Sequence, residues 1–221
     1  MTPAVRLPLL AAVALTGLGL TAPCRLQQAS VSFFVTSVGK GNGADLGGIA
    51  GADAHCQALA SAAGSTNTNW RAYLSTTEPG APLASTRASA SARVRGRMPR
   101  AWWWQRASRI FTRISNNITK QTALTEKGET VSGRGDAVNV HDILTGSDPQ
   151  GMFSTAGGDT TCGNWTKSGE GSAIVGHHDR AGLKDTRHMN SWNSSHGSRG
   201  CSQDALKSSG GAGLIYCFAA N

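Results

Sequence analysis

Four cysteines, Cys56, Cys162, Cys201 and Cys217, lie downstream of an apolar N-terminal segment, and together these features constrain the chain more than any other. Met1–Arg6 is a short basic region, Leu7–Leu20 is apolar but broken by Pro8 and Gly17, and Thr21–Cys24 closes the segment with small residues. The apolar stretch is too short and too interrupted to span a bilayer as a helix, so residues 1–23 read as a secretory signal and 24–31 as a linker. Cys24 opens a lipid-anchor alternative, which Pro23 disfavours by preceding it directly. The chain is therefore expected outside the cytoplasm, secreted or periplasmic, where disulfides are the default state of cysteine pairs. Four cysteines allow three pairings, and their spacing does not choose among them. Structural zinc is the competing use of the cysteines, but no C-x-x-C spacing is present to support it. Two disulfides are predicted.

Such a chain needs its staples, because its apolar content is modest. Hydrophobic residues make up 39% of the 221, and glycine alone supplies 28, the composition of a loop-rich domain with a limited core. No heptad pattern and no apolar run of ~18 residues occurs, so a coiled coil and a membrane-spanning protein are excluded. The net charge of +8 is local. Eight arginines and no acid lie between Thr86 and Ser115, and outside that segment 13 basic residues face 13 acidic ones. Two readings of residues 85–115 follow. With Trp102, Trp103 and Trp104, the arginines would form a polyanion-binding patch for sulfated glycans, lipopolysaccharide, or nucleic acid without sequence specificity. Alternatively the segment is read out of frame. Trp has a single codon, and a reading one base earlier permits valines, returning acids and a helical pattern, which would restore a second helix otherwise lost in 86–115.

The remaining chain reads as α+β. Val31–Val38 is a strand with Val31, Phe33 and Val35 on one face, and Gly39–Gly48 is a glycine-rich loop. Asp53 opens a helix ending at Gly64, whose stripe of Ala52, Cys56, Leu59, Ala60 and Ala63 turns Cys56 inward. Trp70–Ser75 alternates as a second strand, Ser115–Ser132 is polar and irregular, Asp142–Gly146 is extended, and Ser147–Gly151 is a turn. Ser172–Gly176 is a further strand, and Gly213–Ala219 alternates as the terminal core strand.

At this point the residues resemble a known family. Gly48–Cys56 followed by Trp70–Thr76 is similar to the first helix and next strand of the endostatin domain of collagens XV and XVIII. Gly146–Gly151, Cys162–Trp165, Gly200–Cys201 and Tyr216–Phe218 follow in that domain's order. Residues 32–221, with a gap at 80–115, thus resemble bacterial secreted lectin-like proteins of the C-type-lectin-like fold. The resemblance implies nested disulfides, Cys56 with Cys217 and Cys162 with Cys201.

Fold alone does not carry function, so the sugar-binding motifs of such lectins have to be sought residue by residue. Asp148-Pro149-Gln150 stands where those lectins place a Ca²⁺-binding tripeptide, and Trp192-Asn193-Ser194 precedes Cys201 as their second motif precedes its cysteine. The candidate Ca²⁺ ligands are Asp148, Gln150, Asp159 and Asn193, all hard oxygen donors. Ser194, however, offers no carboxylate where the motif has one, and the bland reading is an Asp-Pro turn beside a core Trp192. His177-His178-Asp179-Arg180, with His188 and His196, is the most polar cluster, a candidate ligand pocket or metal site. Adjacent histidines on a strand point to opposite faces, so His177 and His178 do not easily share one ion. Arg134-Gly135-Asp136 spells an adhesion tripeptide, and Asn117, Asn164 and Asn193 begin glycosylation sequons. No G-x-S-x-G elbow marks a hydrolase. The sequence therefore reads as an exported, non-catalytic binding protein for a carbohydrate or cell-surface glycan. Polyanion capture through the arginine segment is the alternative, and a hydrolase of unknown substrate the third reading.

Overall fold

A computed structural model describes residues 31–77, 89–90 and 117–220. The expected signal at 1–23, the linker up to residue 30, and nearly all of the arginine-rich segment lie outside the described residues. The two readings of that segment, and the polyanion patch with it, therefore lie outside them as well. Among the described residues no helix is long and apolar enough to cross a membrane.

The architecture is mixed α+β. Among the described residues seven strands form one sheet: β1 (Phe33–Val35), β2 (Trp70–Leu74), β3 (Ser89–Ala90), β4 (Asp142–Leu144), β5 (Ile174–His177), β6 (His196–Gly197) and β7 (Gly211–Ala219). Their order is β3-β2-β7-β4-β5-β6, with β1 also on β7. The terminal strand β7 is the hub. Its C-terminal half pairs antiparallel with β1 and β2, and its N-terminal half pairs parallel with β4. Alternation along β7 feeds two cores: Ile215 and Cys217 enter one with Phe34, Trp70, Leu74 and Trp165, while Leu214, Tyr216 and Phe218 enter the other with Val35, Tyr73 and Trp192. Both faces of the sheet are thus covered, which is why its strands are nearly continuously apolar.

The long helix α1 (Gly48–Ala62) begins five residues before the expected start at Asp53. Gly47 and Gly48 take positive φ (72° and 69°), a backbone entry that needs no side-chain cap. Asp53 is instead turned inward and bridges to β2, accepting the Ala72 amide at 2.8 Å and pairing with Arg71 at 2.9 Å. The inward position of Cys56 is as expected, and Cys56 bonds Cys217, tying α1 to β7. Cys162 bonds Cys201, so the two bridges are the nested pair that the resemblance implies. Two disulfides are the chemistry of an extracellular or periplasmic protein.

Two short elements complete the frame. The single turn α2 (Cys162–Trp165) is left-handed, with φ of 50°, 66°, 54° and 67° along its four residues. Such a turn costs roughly 1–2 kcal/mol per residue other than glycine. The Cys162–Cys201 bridge, the Asp159 carboxylate on the Gly163 amide and the Trp165 indole on the Ser75 carbonyl hold it in place. The helix α3 (Gln203–Ser209) has Ser202 as its N-cap and Gly210 in the left-handed conformation after its end. The expected strand at Val31–Val38 contracts to Phe33–Val35, and that at Ser172–Gly176 shifts to Ile174–His177. That shift brings His177 into the sheet.

Candidate metal centre

Antiparallel register gathers the site. Asp142 at the start of β4 stands directly opposite His177 at the end of β5, and His196 of β6 stands opposite Val175, two residues from His177 on the same face. Directly paired residues and alternate residues of one strand share a face, so Asp142, His177 and His196 project together. His141 precedes β4 and lies with its ring stacked on that of His177, centroids 4.0 Å apart at 12°. The His177 and His196 rings meet edge-on at 66°.

Three imidazole Nε2 atoms surround one carboxylate oxygen, Asp142 Oδ1. The Nε2 atoms of His177, His141 and His196 lie 3.2, 3.3 and 3.5 Å from Asp142 Oδ1. The Nε2 atoms of His177 and His196 are 3.1 Å apart. His141, Asp142 and His177 each offer a ligand atom, and these atoms all lie within 4.8 Å of one another. Asp142 is 2% exposed, yet neither of its carboxylate oxygens has a hydrogen-bond partner. The imidazoles stand around this carboxylate at ion-pair distance.

The opposite edge of each ring is tied off. His141 Nδ1 faces Asp179 Oδ1 and Oδ2 at 3.1 and 3.2 Å. His177 Nδ1 donates to the Met189 carbonyl at 2.7 Å, with Ser195 Oγ at 3.2 Å. His196 Nδ1 faces the Gly197 carbonyl at 3.1 Å. Carboxylate and carbonyl oxygens only accept, so Nδ1 carries the proton in each neutral ring and Nε2 carries the lone pair. That tautomer, fixed by an outer acceptor, is the one a metal-bound histidine of this orientation requires. Electrostatics agree. Burial pushes the Asp142 carboxyl up, but contact with His177, His196 and His141 more than offsets it and holds the group below the usual carboxylate range. Asp142 in turn raises His196.

Of the residues singled out from the sequence, His177 and His196 are inner members of this cluster and Asp179 is its outer carboxylate. His178 points elsewhere, as the strand argument expects. It is fully buried, its Nε2 donates to the Ser132 carbonyl at 3.3 Å, and burial lowers its pKa. His188 is exposed in the loop after β5. The oxygen donors considered for Ca²⁺ are engaged locally. Asp148 Oδ1 accepts the amides of Gln150 and Met152, Asp159 holds the amides of Thr161 and Gly163, and Gln150 is exposed. Asn193 is buried, donating to the Tyr73 hydroxyl and the Asp148 carbonyl, and Trp192 is core. The adhesion-like tripeptide has its carboxylate bound: Asp136 accepts from Lys120 and from the Gly133 amide. The Asn164 amide is clasped to Thr77, and Asn193 is 1% exposed, so two of the three sequons are built into the fold.

His141 and Asp142 were not legible as ligands from the sequence. The one available signal is a repeated His-Asp dipeptide, His141-Asp142 and His178-Asp179, on segments that the fold pairs. No protein-family model matches the chain, and no curated protein is similar enough to be matched to it.

Proposed function

We propose that this chain is an extracytoplasmic, non-catalytic binding domain whose built site holds a zinc-class transition-metal ion through His141, Asp142, His177 and His196. The observation that carries the reading is a buried carboxylate, without hydrogen bonds of its own, on which three imidazole Nε2 atoms converge while every Nδ1 is occupied. Ligands on a tetrahedral ion at ~2.05 Å are about 3.3 Å from one another. Four of the six separations among these atoms, 3.1, 3.2, 3.3 and 3.5 Å, lie near that value.

The donor set chooses the class of ion. Three imidazoles suit zinc, copper, nickel or iron, whereas Ca²⁺ and Mg²⁺ prefer all-oxygen shells. Four protein ligands make a closed, structural site rather than a catalytic one with an open position. The ion would cross-link β4, β5 and β6. The His141 and His177 rings are stacked 4.0 Å apart at 12°, so sharing one ion would require His141 to pivot about its Nδ1 contact with Asp179. The resemblance to lectin-like domains, together with the α+β frame and nested disulfides, supports a carbohydrate or cell-surface glycan as the external ligand, with the metal holding the fold that presents it.

The test is elemental analysis of the secreted protein together with zinc titration of chelator-treated protein. The expected result is one tightly bound equivalent, lost in an Asp142→Ala, His177→Ala double variant. Absence of stoichiometric binding in the folded wild-type domain would overturn the proposal.

A further inference from the structure

Within that reading, and resting on it, the structure assigns Asp179 the part of a positioning residue for the centre, with Gly133 holding Asp179 in place. Asp179 pairs with His141 of the metal set. Its carboxylate straddles His141 Nδ1, and each oxygen also accepts a backbone amide: Ala181 on Oδ1 at 3.1 Å and Arg134 on Oδ2 at 2.6 Å. A carboxylate with two fixed amides cannot rotate freely, so the Nδ1 edge of the His141 ring is anchored from outside. Because Asp179 can only accept, it keeps the His141 proton on Nδ1 and leaves Nε2 to the ion, and its negative charge makes that Nε2 a stronger ligand.

Gly133 is part of the same device. A Cβ at this position would sit 2.5 Å from Asp179 Oδ2 and 3.2 Å from the Asp179 Cβ, so any side chain there displaces the carboxylate. The segment bearing Arg134-Gly135-Asp136 is thereby joined to the metal through three contacts: the Arg134 amide to Asp179, Asp179 to His141, and His141 to the ion. Metal loading and the order of that loop are therefore coupled, and the loop's Asp136 is fixed by Gly133 and Lys120 on its own side.

The experiment compares wild type, Asp179→Asn and Gly133→Ala by competition for zinc against a chromophoric chelator, with nitrogen NMR of the His141 ring in metal-free protein. Removing such an outer carboxylate weakens metal affinity by roughly 10–100-fold. Asp179→Asn is expected to show that loss, with His141 moving from the Nδ1–H toward the Nε2–H tautomer. Gly133→Ala, which keeps the charge but shifts it, is expected to show a smaller loss in the same direction. A residue that merely stabilised the loop would leave the tautomer unchanged. If wild type binds zinc and both variants bind it equally well with His141 still protonated on Nδ1, the role of Asp179 is refuted. If wild type binds no zinc, the metal reading fails, while a tautomer that still responds to Asp179→Asn preserves the positioning of His141. Should Asp179→Asn fail to fold, Gly133→Ala and the wild-type tautomer decide.

Discussion

Asp142→Asn separates a ligand from a structural carboxylate because the two roles predict opposite effects of zinc. In metal-free protein the carboxylate is 2% exposed and its oxygens lack hydrogen bonds, so the native charge is held at a desolvation cost that only the neighbouring imidazoles offset. An asparagine of the same shape carries no charge and can donate from Nδ2 to a histidine Nε2. Its metal-free stability is therefore expected within about 1 kcal/mol of wild type. Zinc at 100 times the wild-type Kd adds about 2.7 kcal/mol to wild type. If losing the carboxylate weakens binding 100-fold, the variant gains only about 0.4 kcal/mol at the same zinc concentration. The gap of about 2.3 kcal/mol corresponds to roughly 5–9 °C in Tm for a domain of this size. Differential scanning fluorimetry with zinc and with a strong chelator measures both arms. Near-equal midpoints in chelator and a separation of several degrees in zinc are expected. A variant that is equally destabilised in both arms would refute the reasoning, since the carboxylate would then be holding the fold directly.

The two disulfides differ in reach. Cys56 and Cys217 are separated by 161 residues and Cys162 and Cys201 by 39, so paired serine variants are expected to cost about 5 and about 4 kcal/mol respectively, read as the loss in urea unfolding free energy. Asp53→Ala removes the acceptor of the buried Ala72 amide and is expected to cost about 1–3 kcal/mol. Because the Arg71 side chain is 39% exposed, Arg71→Ala should cost well under that, about 1 kcal/mol or less, in the same assay. Ca²⁺ is expected to leave the melting temperature unchanged, since Asp148 and Asp159 spend their carboxylates on backbone amides. Asp148→Ala should destabilise by about 1 kcal/mol with or without Ca²⁺, and a calcium-dependent shift lost in that variant would reinstate the oxygen-ligand site.

Period and cysteine chemistry made much of the frame readable in advance. The alternation of Gly213–Ala219 marks β7 because its two faces enter two different cores, and the stripe through Cys56 marks α1 because one face lies on the sheet. The start of α1 was less readable. Asp53 has the residue type of a helix cap, but the helix begins at a glycine pair and the carboxylate is used between elements, a choice that depends on where Ala72 comes to lie. The helix α3 carried its own signals in Ser202 and Gly210, although its seven residues supply too little periodicity to stand out. No local rule indicates the left-handed turn at Cys162–Trp165, since only Gly163, and to a lesser degree Asn164, favours positive φ there.

The metal centre shows where reading by spacing stops. The ligands proposed for it lie at positions 141, 142, 177 and 196, and no short motif spans those intervals. What unites them is strand register, in which Asp142 opposes His177 while His196 joins the same face two residues along. A shift of one residue in either pairing would turn Asp142 or His196 to the other face of the sheet and disperse the ligands. The sequence cluster at His177-His178-Asp179 contributes to the centre, but its three residues divide the work: His177 faces Asp142, Asp179 reaches around to His141, and His178 is turned away to Ser132. The same alternation that keeps adjacent histidines from sharing an ion lets a third residue act through a partner strand. An inner ligand and the carboxylate that orients its neighbour can therefore lie two positions apart in the chain and still belong to different shells of one site.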